Sequence, residues 1–554
     1  SLGRLRLSDE DQGSALELLL SLGNLDPAQI PPKLAEGLSL GLEALVRRSG
    51  GELLSDRAKG QLVSMLRYRS ADEQTAARVR GIALLTLRHG QAITERYVDE
   101  SLRDPDPDTR RVAAASLALM PPAVRTEFTR RAIGDESLRV SVEAIGQLAN
   151  HPNDILKCQW LNNALEDTDI RPIRALALEA LGEPCPDVSA QQQILMDAVS
   201  EIGVTNSTEW LAPARALVSL ASIAPELAEA ALPQFLAHEN AFVRGYAATA
   251  AGLIRQTVIL RTLAQDPAPN VRTTAIQLLA AQDSEPIDEL LINQLTADDP
   301  QLLMTAARLL ENSLLGPQAA LAALLAFERV SASKRETSRD ARRALLERVD
   351  ELGDATMTSR LEPFLRDFDP QVARDVASIL ERWSGQSRQP NPEILPGSAL
   401  PNAAELDELM HSEVVLHMQT GGEIVIQALP DVALTNAHRF VRLANDGYFD
   451  GLTFHRWEPG FVIQGGSPGA NEYSGDGPYT RDEVDLQSHW RGTVGLSTRG
   501  HDTGDAQIFI NLADNVRLNH DYTIFGVVID GMEDVVDLVV EGDVITRAEV
   551  RVGT

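Results

Sequence analysis

FHRWEPGFVIQGG, running from Phe454 to Gly466, is the stretch whose reading decides the fold. It holds the end of one apolar strand, Leu452 to Trp457, and all of a second, Phe461 to Gln464. Short Val/Ile/Phe-rich runs bounded by Gly and Pro are strands. Further runs follow at Thr493 to Thr498, Gln507 to Leu512, Thr523 to Val528 and Val544 to Val552. Upstream, Val414 to Met418 and Glu423 to Leu429 flank Gly421-Gly422, a hairpin signal. An amphipathic helix is expected from Asn436 to Asn445, closed by Gly447, and another from Met532 to Val540. Eight or so strands with two helices predict a closed antiparallel β-barrel with helices over its ends.

The pattern changes before His411. Between Trp383 and Met410 the chain is rich in Pro, Gly, Ser and Gln, a composition that breaks helices and favours extended chain, with a short acidic helix expected at Ala403 to Leu409. From the start to about residue 385, Ala/Leu-rich amphipathic stretches alternate with Asp/Pro turns. One cassette recurs: DPDPDTRRVAAASL from Asp104 to Leu117, DESLRVSVEAI from Asp135 to Ile145, DPAPNVRTTAI from Asp266 to Ile276, and weaker copies at His238 to Ala248 and Asp367 to Ala377. The registers near Arg111, Arg139, Arg174, Arg244, Arg272 and Arg374 recur at the spacing of a two-helix unit. This resembles a HEAT or HEAT-like superhelical solenoid, in which each repeat is stable only in its stack. The expected domains are therefore an all-α solenoid over 1–385, a linker over 386–410 and the barrel over 411–554. Asp carboxylates in the turns suit helix capping, since they lack the Gly and distal Glu of a calcium loop. The repeated arginines suit pairing with an Asp of an adjacent turn.

At 554 residues the chain exceeds a single core. A formal charge of −30 argues against nucleic acid and against anionic membranes, because both are bound through cationic side chains. Lysine stands only at positions 33, 59, 157 and 334. Cys158 and Cys185 are the only cysteines; they are too few for a disulfide framework or a four-thiolate zinc site and are expected to be buried free thiols. No run of 18 apolar residues is present, so no transmembrane segment is expected. Because the sequence begins at Ser1 without Met, a processed product is expected, which favours the cell envelope or periplasm over the cytoplasm.

The order of motifs in the C-terminal part is specific. FHR (454–456), PGFVIQGG (459–466), GTVGL (492–496), AQIFI (506–510), Leu518 and YTIFG (522–526) together resemble the cyclophilin family of peptidyl-prolyl cis/trans isomerases. The resemblance implies that Phe461, Val462, Phe509 and Leu518 form an apolar proline pocket. It also implies that Arg456 donates hydrogen bonds toward the prolyl carbonyl and nitrogen, that Gln464 orients Arg456, and that Gln507 and the backbone near Ser497 and Thr498 hold the substrate. Arg517, at the pocket rim, and Tyr522 would also bind the substrate. Such chemistry breaks no bond: an amide barrier of about 18–20 kcal/mol is lowered by binding the twisted amide better than the planar one. No cofactor or metal is implied. Phe454, Phe525 and Ile510 are expected in the barrel core, and His455 as a hydrogen-bonded structural histidine. Val462 stands where the family often has Met, Thr498 where it often has Asn, Tyr522 where it often has His, and Arg517 where cyclosporin-sensitive members have Trp, so weak cyclosporin binding is expected. The implied substrates are X-Pro polypeptides, with an unidentified protein partner on the solenoid. The alternative function is a non-catalytic proline-peptide scaffold or holdase.

Overall fold

The computed structural model describes residues 7–22, 30–149, 156–203, 208–282, 286–397 and 400–553. Among the described residues, helices follow one another from Asp9–Leu22 to Pro370–Ser384. Asp/Pro turns start many of them for a local reason. Asp106, Asp299 and Asp369 each accept a hydrogen bond from a backbone N–H of the first turn, and the proline that follows takes a position where no N–H is needed. Alternate helices, from Pro32–Arg48 through Glu73–His89 and on to Pro370–Ser384, pack each on the next.

Arginines tie successive units together. Arg80 forks onto Asp104 at 2.7 and 2.9 Å, Arg110 onto Asp135 at 2.8 and 2.9 Å, and Arg244 onto Asp266 at 2.7 and 2.8 Å. Buried Arg342 reaches Asp367 at 2.9 Å. In the first cassette the ladder residue is thus Arg110 and not the neighbouring Arg111, which bonds Glu143 at 3.1 Å. Planar, bidentate guanidinium–carboxylate pairing suits these confined sites better than lysine would.

The cysteines depart from expectation. Cys158 and Cys185 are joined in a disulfide, with Cα atoms 5.9 Å apart. It fastens the Lys157–Asp167 helix to the turn after Arg171–Ala180. A 27-residue separation carries no geometric information in the sequence; the folding of two helices side by side brings the thiols together. Cys158→Ser/Cys185→Ser is expected to lose about 2–4 kcal/mol of unfolding free energy, because the cross-link constrains the unfolded chain. Superimposable urea curves for the two proteins would contradict this.

After Pro370–Ser384 the chain runs back along the last helices, where the Asn391 N–H donates to the Leu365 carbonyl at 2.8 Å. The short helix Ala403–Leu409 is started by a capping box between Asn402 and Glu405.

The barrel has nine strands: β1 (Ser412–Met418), β2 (Glu423–Ala428), β3 (Thr453–Phe454), β4 (Arg456–Glu458), β5 (Val462–Gly465), β6 (Thr493–Leu496), β7 (Ile508–Asn511), β8 (Ile524–Asp530) and β9 (Asp543–Val552). All pairings are antiparallel, in the order β3-β9-β1-β2-β8-β6-β7-β5-β4. The sheet nearly closes, because its two end strands, β3 and β4, are separated only by His455. The expected single strand over Leu452 to Trp457 is split there. Helix Leu434–Asn445 lies over the barrel and buries Phe440 against Phe449 and Phe525. Phe454, Phe525 and Ile510 are core residues. The expected helix at Met532 to Val540 is instead a turn with a 3-10 segment, Val536–Leu538.

The barrel lies against the helices along much of their length. The Arg78 guanidinium stacks 4.3 Å over buried Trp490, Arg171 forks onto Asp543, Tyr246 donates to Glu541 at 2.6 Å, and Arg499 meets Asp340 at 3.1 Å.

Candidate functional site

Strands β4, β5 and β7 place the key side chains. Arg456 pairs across from Gln464, and Gln464 from Phe509. Their side chains form a directed chain. Arg456 Nη1 donates to Gln464 Oε1 at 3.2 Å, Gln464 Nε2 donates to Gln507 Oε1 at 3.0 Å, and Gln507 Nε2 donates to the Glu472 and Ser474 carbonyls at 3.1 and 3.0 Å. Gln464 and Gln507 are buried, whereas the Arg456 side chain keeps 37% of its exposure. A half-exposed, permanently charged fork is therefore held by buried amides that cannot titrate.

The apolar part lies beside it. Val462 and Phe509 are buried, Phe461 and Leu518 half-buried. Space for the Phe509 ring exists because position 495 is glycine: a Cβ there would stand 2.4 Å from the ring. The Tyr522 ring meets Phe509 edge-on at 6.0 Å. Arg517 is exposed and stacks its guanidinium 4.1 Å over the Phe461 ring. Ser497 donates its N–H to the Gln507 carbonyl at 2.9 Å, and half-buried Thr498 follows it.

Sequence reasoning missed the supporting polar residues. The Asn515 side chain donates to the Phe461 carbonyl at 2.8 Å and to Asn511 Oδ1 at 2.7 Å; Asn511 donates to Thr493 Oγ1 at 2.9 Å. This buried network fixes the loop that carries Leu518 against the strand that follows Phe461. Asp505 Oδ1 accepts the Gln507 N–H at 2.8 Å, and burial pushes its pKa up to about 6. Single Asn and Asp residues in loops gave no signal in the sequence.

Residues 414–552 match the family described as cyclophilin type peptidyl-prolyl cis-trans isomerase/CLD. Peptidyl-prolyl cis-trans isomerase B of Bacillus subtilis is 39% identical over 119 residues, which span 21% of this chain and 82% of that protein. The chain belongs to the cyclophilin family. The Helicobacter pylori peptidyl-prolyl cis-trans isomerase is 34% identical over 128 residues, 22% of this chain and 78% of the relative. Peptidyl-prolyl cis-trans isomerase-like 2 of Aspergillus oryzae is 37% identical over 116 residues, 20% of either chain. The cyclophilin domain is thus one module of a longer chain here, as in that relative.

Two histidines of the cyclophilin domain are kept neutral. Burial pulls His455 down to about 4, and neither of its buried ring nitrogens has a hydrogen-bond partner among the described residues, contrary to the expected hydrogen-bonded histidine; burial also pulls His489 down to about 4, opposed by the Tyr522 carbonyl. A histidine depressed below its unfolded value near 6.5 contributes stability that is complete above pH 6.5 and is lost as pH falls toward 4. In His455→Gln the drop in unfolding free energy between pH 6.5 and 4 is expected to be about 2–3 kcal/mol smaller than in the wild type. Parallel stability curves for the two would contradict the assignment.

Proposed function

We propose that Arg456, Gln464 and Phe461 carry the isomerase chemistry, with Val462, Ser497, Thr498, Gln507, Phe509, Arg517, Leu518 and Tyr522 binding the substrate. The observation that carries this reading is the Arg456–Gln464–Gln507 chain set beside the Phe461/Val462/Phe509/Leu518 surface. A proline ring seated on that surface brings the prolyl amide to the guanidinium. As the C–N bond twists, resonance is lost and the nitrogen regains a lone pair, to which Arg456 can donate more strongly than to the planar amide. Stabilisation present only in the twisted state lowers the barrier. No proton is transferred, so neutral His455 is a structural neighbour.

Gln464 acts through Arg456 and is a positioning residue. Gln464→Leu is expected to lower kcat about tenfold on an Ala-Pro-Phe peptide with KM nearly unchanged, as for loss of an interaction expressed in the transition state. An unchanged kcat would contradict the role. The binding-only reading draws support from Arg517, which stacks its guanidinium 4.1 Å over the Phe461 ring where cyclosporin-sensitive members have Trp.

The helical part is read as a HEAT-like array over 1–385, joined by the linker 386–410 to the isomerase domain 411–554. The stacking of alternate helices and the Arg–Asp ladder support that reading. Its first docking partner is the chain's own barrel. The disulfide supports an oxidising compartment such as the cell envelope.

A further inference from the structure

Arg456 does not face open solvent alone. It lines a cavity of about 980 Å³ whose opposite wall comes from three helices distant in sequence, Ala241–Leu253, Pro269–Ala281 and Pro300–Leu309. On the barrel side the cavity is bounded by His455, Arg456, the turn from Pro468 to Tyr473 and Glu541; its two carboxylates are already engaged, Glu472 by Arg456 at 3.6 Å and Glu541 by the Tyr246 hydroxyl at 2.6 Å. That turn is fixed to the helical wall. Asn270 Nδ2 donates to the Gly469 and Ala470 carbonyls at 2.8 and 3.0 Å, and Asp299 Oδ2 accepts from Asn471 at 3.0 Å and from Ser474 Oγ at 3.3 Å. The wall and the reactive guanidinium therefore stand in a set register.

The volume is at the upper end of the roughly 300–1,000 Å³ typical of ligand pockets, far more than a proline and its amide need. Its chemistry is selective. In a chain with 23% charged residues, the helical wall offers, among the described residues, the aromatic rings of Phe242 and Tyr246, the thioether of Met304, the amides of Gln277 and Gln301, and Arg308 as its one cation. Amides can both donate to and accept from a peptide backbone, and the apolar groups offer surface to its side chains. Gly245 opens part of the space: a Cβ built there meets nothing within 4 Å.

We propose that this cavity is an extended subsite for the residues flanking the substrate proline, taking several residues of an uncharged, extended polypeptide, so that the helical array selects which X-Pro segments the isomerase accepts. The proposal rests on the isomerase reading of the Arg456 site. The ligand spans two parts of the protein: the barrel holds the proline and the helices hold its neighbours.

The test uses the full chain and two peptides with the same Ala-Ala-Pro-Phe centre, one a tetrapeptide and one a 12-residue peptide with Ser, Thr, Gln and Leu flanks. Gly245→Phe projects a ring into the cavity from a helix position that tolerates a side chain. The ratio of kcat/KM for the 12-residue peptide to that for the tetrapeptide is expected to fall about tenfold. The affinity for a fluorescein-labelled 12-residue peptide, read by anisotropy, is expected to fall by a similar factor. Gln277→Ala/Gln301→Ala, which leaves the space open and removes two amides, is expected to lower the same ratio about threefold, and it decides the matter should the phenylalanine variant misfold. An unchanged ratio with unchanged anisotropy affinity would overturn the proposal. A wild-type protein that binds the labelled peptide but accelerates neither substrate would instead overturn the isomerase reading, while the affinity comparison would still decide the subsite.

Discussion

Arg456→Ala is expected to lower kcat/KM on an Ala-Pro-Phe peptide by about 100-fold or more, the loss typical of removing a preorganised donor from a transition state. The fold should survive the change. The side chain is 37% exposed, and its partners are an amide and two half-exposed carboxylates, Glu458 at 3.3 Å and Glu472 at 3.6 Å. Thermal midpoints of the two proteins should therefore agree closely, so that the loss reads on chemistry and not on folding. Arg456→Lys is expected to recover little, since an ammonium lacks the fork that reaches the amide and Gln464 together. A variant that retained most of the wild-type rate would move the electrostatic role to another residue.

The second large effect lies at the junction of the two parts. Arg171 reaches Asp543 through both terminal nitrogens, at 2.7 and 2.8 Å, and also donates to the Thr208 carbonyl at 2.9 Å. Asp543 is 4% exposed and its second oxygen also accepts the Val540 N–H at 2.9 Å. Arg171→Ala leaves that carboxylate buried without its cation, an arrangement that costs about 3–5 kcal/mol. The expected result is a loss of that size in urea unfolding, largely recovered when Asp543→Ala is added, since the pair then disappears as a unit. Additive losses in the double variant would show that the contact does not couple the barrel to the helices.

Much of this architecture was legible because local chemistry and tertiary placement agree. Gly421 and Gly422 take φ of 96° and 83°, values that L side chains rarely adopt, and the hairpin forms where the glycine pair stands. Asn402 and Glu405 supply a capping box, and the short acidic helix forms between them. The Phe454 to Gly466 stretch was decisive because its residues must meet one another across adjacent strands. Features resting on contacts between distant segments left no such trace. The apolar spacing of Val535, Val536, Val539 and Val540 suggests a helix, but a Cβ at Gly531 would stand 2.1 Å from the Glu423 carbonyl oxygen, so the chain is pinned to β2 in a turn instead. Cys158 and Cys185 gave no distance. The docking of the barrel on the helices combines scattered pairs such as Arg171–Asp543 and Asp340–Arg499 with small apolar contacts such as Ile82 against Trp490 and Val516, each indistinguishable in sequence from a surface residue or a local core. Of the site, the residues within the cyclophilin motifs were named from the sequence; the Asn511–Asn515 network beneath them, the Asp505 support and the helical wall facing Arg456 were not.

Two-dimensional NMR exchange on a short Ala-Pro-Phe peptide with catalytic amounts of the full chain tests the isomerase activity most directly. X-Pro bonds interconvert unaided over tens to hundreds of seconds, so cis and trans resonances show no exchange peaks within a sub-second mixing time. Exchange peaks that grow with enzyme concentration are expected. Peptide resonances that shift or broaden on binding while exchange stays at the uncatalysed rate would contradict the activity and establish a proline-binding scaffold in its place.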